Sequence, residues 1–195
     1  MAVILRAADR RAVPWKNGGG LTREVAVHPP GSDLASFDWR VSLAEVHQGG
    51  PFSTFPEIDR ELAVIGGRLE LSISGREVLT LSPQSAPVGF PGDLPARAEP
   101  VQSPVFDLNV MTRRGRFVAH LRRCSAANCM MLRLGADATL LLALKALSVH
   151  APSIEAELAP LDALQFSVDT GASCTAWIAG GELDFWLIEI RSAVG

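Results

Sequence analysis

The chain has 195 residues, 48% of them hydrophobic and 20% charged, with a formal net charge of -3. That length accommodates one large or two small domains around a substantial core, and the mildly acidic balance lacks the uncompensated basic clusters that nucleic acid requires. No apolar run approaches the roughly 20 residues needed to cross a bilayer, and the three-residue run Val3-Ile4-Leu5 lacks the apolar core of a secretory signal, so a cytoplasmic globular protein without membrane or nucleic-acid partners is expected.

Gly (17) and Pro (13) punctuate short β-branched and apolar segments throughout, which points to an all-β fold. Val3-Ile4-Leu5 opens a strand, and Pro14-Trp15-Lys16-Asn17-Gly18-Gly19-Gly20 reads as a loop because consecutive glycines favour no regular element. Residues 22–28 are extended, with Arg23, Val25 and Val27 on one face and Thr22, Glu24 and Ala26 on the other. The clearest alternation lies in residues 37–46, where Trp39, Val41 and Leu43 oppose Arg40, Ser42 and Ala44. Residues 62–73 form strand through Gly66-Gly67, and Ser74-Gly75 turns the chain into residues 78–81. Residues 82–104, rich in Pro, Gly and Ala, read as short strands joined by turns. In residues 105–113, Asp107, Asn109, Met111 and Arg113 share a face opposite Phe106, Leu108, Val110 and Thr112, which suits either a small polar ligand or a water-exposed edge. From His120 onward the chain is strand-like, with apolar runs at 139–149 and 175–191. Gly180-Gly181-Glu182-Leu183 there faintly echoes Gly66-Gly67-Arg68-Leu69.

The four histidines, His28, His47, His120 and His150, stand singly, without paired ligand spacing, so no metal site is expected. Cys124, Cys129 and Cys174 lack metal-finger spacing and read as reduced structural thiols. No Gly-x-Ser-x-Gly elbow marks a nucleophile. General acid-base work falls to Glu45, Asp59 or Asp107, each equally readable as an ion-pair partner, Asp59 with Arg60 for example. The stronger pattern is anion recognition. Lys16, Arg23, Arg40, Arg60, Arg113 and Arg114 concentrate in four blocks, and guanidinium groups bind carboxylates with direction. Gly18, Gly19 and Gly20 offer backbone N–H groups to an anion or merely a flexible turn. Trp15, Trp39, Phe52 and Phe55 supply apolar walls or core, Trp39 by preference core.

Within residues 51–67, PFSTFPEIDRELAVIGG, Ser53, Phe55, Arg60 and Gly67 keep the spacing of the first cupin motif, His-x-His, four residues, Glu, six residues, Gly. Neither a phenyl ring nor a guanidinium can ligate a metal, and Phe55, at the second histidine position, is expected to point into a barrel. Together with PWKNGGGLTRE (14–24), FDWRVSLAEV (37–46) and DLNVMTRRG (107–115), this stretch resembles the HutD/Ves family. The resemblance implies a bicupin, with a first cupin unit over residues 1–118 carrying the pocket and a smaller one over 119–195. It also implies a link to bacterial histidine utilisation and a ligand of the formiminoglutamate or formylglutamate type. The expected ligand-binding set is Lys16, Asn17, Arg23, Arg40, Phe55, Asp59, Arg60, Asp107, Asn109, Met111 and Arg113. Arginines would take carboxylates, Asp59, Asp107 or Asn109 an N–H, and Phe55 or Met111 the aliphatic chain, and urocanate or an unrelated small acid fits the same residues. A metal-independent, cofactor-free binding protein that modulates histidine utilisation is the first expectation, and a metal-independent enzyme acting on a small carboxylic acid the second. A purely structural protein whose polar faces form an interface, hence a homo-oligomer, is the third.

Overall fold

Alternating apolar and polar residues broken by glycine and proline favour pleated segments over helix. The structure, a computed structural model describing residues 1–167 and 172–193, is built from β-strands and one 3-10 turn at Ala7–Asp9. In chain order the strands begin with β1 (Ala2–Leu5), β2 (Ala12–Pro14), β3 (Gly20–His28), β4 (Trp39–Val46) and β5 (Gly50–Pro51). There follow β6 (Ile58–Ile73), β7 (Leu79–Leu81), β8 (Val88–Pro91), β9 (Ala96–Arg113) and β10 (Phe117–Leu134). The last five are β11 (Ala138–Ala143), β12 (Leu147–Ala151), β13 (Ile154–Leu158), β14 (Ala163–Ser167) and β15 (Cys174–Ser192). Residues 168–171 and 194–195 of the expected second half lie outside the described residues.

Two compact units result, one of Arg10–Val118 and one of Met1–Asp9 with Ala119–Ala193. In the 10–118 unit an eight-stranded antiparallel sheet runs β2-β3-β4-β9-β6-β7, with β5 on β9 and β8 on β6. β6 and β9 pair along nearly their whole length, from Ile58 opposite Arg113 to Ile73 opposite Ala96. The far half of this pair, with Leu69, Leu71, Ala96 and Ala98, shares one core with Leu62 and Val64 of the near half and with Ala44 and Val46 of β4. The sheet therefore folds back over itself. Register shifts around Gly66 provide the bend, since a bulge kinks a strand and increases its twist. Residues 105–113, read from sequence as a strand in its own right, are the last half of the longer β9.

One facial assignment changes. A bulge in β3 between Glu24 and Ala26 puts Val27 opposite Arg40, on the face that Thr22 and Glu24 occupy, instead of with Arg23. The extra residue resets a period of two, which alternation alone cannot register. β4 needs no such correction, because Trp39, Val41 and Leu43 are buried on one face while Arg40, Ser42 and Ala44 turn to the other.

In the other unit the sheet runs β1-β14-β11-β15-β12-β13, with β10 also on β15. Its core includes Leu141, Ala143, Leu164, Phe166, Phe185 and Leu187. The expected assignment of residues 1–9 to the first unit is corrected here, because β1 pairs with β14 in the register Ala2 to Phe166. Two hydrogen bonds to the buried Asp162 carboxylate hold that segment, from Arg6 Nη1 (2.8 Å) and Ala7 N (2.7 Å), while Ala159 N (3.1 Å) fixes the carboxylate locally. Burial alone would raise this carboxyl, but the bonds from Ala7, Arg6 and Ala159 outweigh it and hold it below its ordinary value.

Candidate functional site

Because side chains alternate across a strand, register decides which residues share the interior face of the 10–118 sheet. Three rows cross β4, β9 and β6: Arg40, Met111 and Arg60; Ser42, Asn109 and Leu62; Ala44, Asp107 and Val64. Two cationic side chains thus flank Met111, and an amide and a carboxylate follow along β9. Arg40 is compensated, its Nε donating to Glu24 Oε2 at 2.8 Å.

Arg60 is only 5% exposed. Its guanidinium carbon lies 4.5 Å from the ring centre of Phe52, 5.3 Å from Phe90 and 6.0 Å from Phe55. A cation held over desolvated rings gains about 2 kcal/mol per good contact, which offsets part of a burial cost of several kcal/mol. Among the described residues its hydrogen bonding is sparse, with one long contact from Nη1 to Ser53 O at 3.4 Å and Nε without a partner. Desolvation lowers its pKa to about 10, against the attraction of Asp107, and Arg40 lowers it further.

Asp107 is fully buried, and neither carboxylate oxygen has a hydrogen-bond partner among the described residues. Burial pushes its carboxyl up to about 7, with Arg60 pulling the other way. Asn109 Oδ1 is buried and, among the same residues, unpartnered as well. A native interior rarely leaves polar atoms unpaired, at roughly 1–3 kcal/mol each. Three acceptor oxygens and one guanidinium N–H in a single interior are therefore suited to a polar guest.

Other predicted residues stand elsewhere. Asp59 is on the opposite face of β6 and accepts from Arg114 Nε at 2.8 Å instead of pairing with Arg60. Arg23 pairs with Glu45 at 3.3 Å, and Glu45 also meets His47 at 3.2 Å, so Glu24 is left to Arg40. Glu45 neighbours Phe106 in register while Asp107 neighbours Ala44, so Glu45 and Asp107 face opposite ways and form no joint site. Arg113 donates to Phe37 O at 2.9 Å and clamps the chain before β4. Lys16 and Asn17 are exposed in the turn after β2. Gly18 N donates to Trp15 O (3.0 Å) and Gly19 N to Asn17 Oδ1 (3.0 Å), which takes two amides away from the anion cradle considered for the glycines. Phe90 was not singled out from sequence. It lies opposite Arg60 on β8, in a Pro- and Gly-rich stretch with no periodic signal.

The donor set does not fit the divalent metal that a cupin barrel implies. At the frame positions stand Ser53, exposed, Phe55, and the Arg60 guanidinium, which only donates. Among the described residues no group of three or more His, Cys, Asp or Glu is placed to hold an ion. In the other unit, a shallow depression of about 320 Å³ is lined by Arg133, Gly135, Ala172, Ser173 and Arg191. Its arginines are already engaged, Arg191 with Gly135 O and Glu189, Arg133 with Ser173.

Two antiparallel β units in one chain, one with a polar interior in which a guanidinium stands where the metal ligand would, define a bicupin-class protein with an altered first motif. The HutD family model matches residues 7–183, and the chain belongs to that family. A protein Ves from Cronobacter sakazakii is 38% identical over 110 residues, 55% of this chain and 59% of its own length. An uncharacterized 21.2 kDa protein from the hutC 3′ region of Pseudomonas putida is 33% identical over 120 residues, 61% of this chain and 62% of its own. The chain thus spans about three-fifths of these relatives' length. A conserved protein of unknown function from Pseudomonas aeruginosa PAO1 superimposes with a TM-score of 0.90 at 28% identity, covering 98% of this chain and 100% of that one. HutD from Pseudomonas fluorescens SBW25 gives 0.82, also at 28% identity, covering 98% and 99%. An oxalate decarboxylase from Bacillus subtilis, at 9% identity and a TM-score of 0.67 over 98% of this chain and 79% of that one, shares the fold alone.

Proposed function

We propose that this chain is a metal-independent binding protein for a small carboxylic acid of the formylglutamate or formiminoglutamate type, and that it modulates histidine utilisation. The observation that carries this reading is the Arg60 guanidinium, buried among Phe52, Phe55 and Phe90, facing an interior where Asp107 and Asn109 have unpaired oxygens. Arg60 takes a ligand carboxylate, in a water-poor setting where such a contact is strong and directional. Asp107 and Asn109 accept N–H from the nitrogen-bearing end, and Met111 and Phe55 pack against the aliphatic part. Membership of the HutD family and the relative in the hutC 3′ region support the link to histidine utilisation.

Melting temperatures of the protein with formiminoglutamate, formylglutamate, urocanate, glutamate and histidine test the reading. A ligand at 100 times its dissociation constant adds roughly 2.7 kcal/mol of stability. A rise confined to formiminoglutamate and formylglutamate is expected, and it disappears in Arg60→Met, which keeps an apolar stem against the phenyl rings while removing the cation. An equal rise in the variant would take Arg60 out of the site, and no rise with any compound would overturn the reading.

One observation favours a second reading. Asp107, with its carboxyl near 7, is poised for proton transfer, the property a general acid or base needs. On that reading the protein turns over its acid, NMR of each mixture reveals product, and Asp107→Asn slows its formation. Mixtures that stay unchanged leave binding without catalysis.

A further inference from the structure

Asp107 lies between Ala44 and Val64 in the sheet, with no exposed surface and, among the described residues, no hydrogen bond to either oxygen. The other charged groups on that interior face are Arg60 on β6, Arg40 on β4, Glu24 on β3 and, at the end of β9, Arg113, whose guanidinium lies 3.8 Å from Asp38 and 4.0 Å from Glu57. Glu24 and Arg40 neutralise each other at 2.8 Å. Phe90 from β8, and Phe52 and Phe55 from the chain before β6, bring rings but no charge to Arg60. Among the described residues the charges of that face without an ion-pair partner are therefore those of Arg60 and Asp107. With Asp107 ionised they cancel; with Asp107 protonated the interior carries one positive charge. A ligand carboxylate arriving at Arg60 brings a second anion into a space with little water, where two carboxylates do not both stay ionised.

We propose that the site takes up its small acid together with one proton, which Asp107 holds, so that occupancy responds to acidity as well as to ligand concentration. This rests on the reading that a carboxylate binds at Arg60. The protonated carboxyl then has an O–H to give to the ligand and a carbonyl oxygen to receive its N–H. Burial has already moved the free carboxyl to about 7, so the exchange falls within the range of ordinary cellular pH. A bound anion moves it further in the same direction. Affinity is level below the free-state value, then falls about tenfold per pH unit until the bound-state value is reached.

Calorimetric titration of the full chain with N-formylglutamate, between about pH 5.5 and about pH 8.5, tests this, because the compound's own carboxylates stay ionised throughout. Repeating each titration in two buffers of different ionisation enthalpy counts the protons in the wild-type protein without recourse to a variant. Net uptake approaching one proton per ligand above neutrality, with affinity falling along the tenfold line, is expected, and a flattened profile in Asp107→Asn assigns the proton. Binding with no proton uptake and level affinity overturns the proposal while leaving the small-acid reading intact. Affinity that rises with pH also overturns it, by making ionised Asp107 the ligand's partner. Absence of binding at every pH overturns both.

Discussion

Arg60 and Asp107 occupy an interior that a sheet of this kind ordinarily fills with aliphatic side chains, and they do so without a direct ion pair or a full set of hydrogen bonds. Such an arrangement costs stability. Asp107 shows this most plainly, since its carboxyl moves from an ordinary 3.8 to about 7 on folding. The folded chain then binds more protons than the unfolded one between those values, so stability is greatest below about 4, declines as pH rises through about 7, and loses no more above it. Asp107→Asn removes that decline. Relative to the parent it gains on the order of a few kcal/mol at pH 8 and almost nothing at pH 4, read as the difference between urea midpoints at the two pH values. A difference that does not change with pH would show that Asp107 is not the titrating group. Residues that destabilise the free protein in this way are common at binding sites, where a guest makes up the missing contacts.

At the scale of single elements, β6 does most to build the site. It carries Arg60 inward at one end, and near its middle the backbone departs from regular pairing around Gly66 and Gly67. Gly67 has φ +80°, and a Cβ there would lie 3.0 Å from Pro104 O and 3.2 Å from Val105 Cα. Gly75, in the turn before β7, has a similar φ of +78°, but a Cβ there would meet no atom within 4 Å, so it isolates the conformational part of the cost. Gly75→Ala is expected to lose about 1 kcal/mol. Gly67→Ala should lose at least about twice that, because it adds a backbone collision at the bend that brings both halves of β6 and β9 onto one core. Equal losses in the two variants would mean that the bend adapts, and chemical denaturation of both proteins decides the matter.

At the scale of the whole chain, the N-terminal residues belong to the unit that is completed last in sequence. β1 adds an edge to β14, Met1 N donates to Ser167 O at 2.7 Å, and Asp162 gathers Arg6 and Ala7. Removing residues 2–9 should therefore expose β14 (Ala163–Ser167) to faster amide exchange while leaving β4 and β9 protected. Asp162→Ala, which leaves the Arg6 guanidinium and two backbone N–H groups without their acceptor, should destabilise by about 2–4 kcal/mol. The clasp's contribution is present above the ordinary carboxylate range and is lost as pH falls through the lowered value of Asp162. Hydrogen exchange followed by mass spectrometry reads both variants, and unchanged protection of β14 would contradict this account of the N-terminal segment.

The amino-acid sequence by itself determined the β character, the alternation of β4 and the polar face of β9, because strand periodicity is a local property written at every second residue. The altered cupin frame, with Phe55 and Arg60 at ligand positions, was legible for the same reason, and with the other blocks it carried the family resemblance. Only the tertiary structure decided which of eleven named residues meet. Asp59, Arg23 and Arg113 read from sequence as equals of Arg60, but a period of two sends Asp59 outward, and register hands Arg23 to Glu45 and Arg113 to a loop carbonyl. Phe90 reaches Arg60 from a distant strand, and β1 crosses to β14, through pairings that depend on which segments lie side by side in space. Long-range pairing, bulge position and burial have no signature in neighbouring residues, and these are the three quantities that turn a list of candidate side chains into a site.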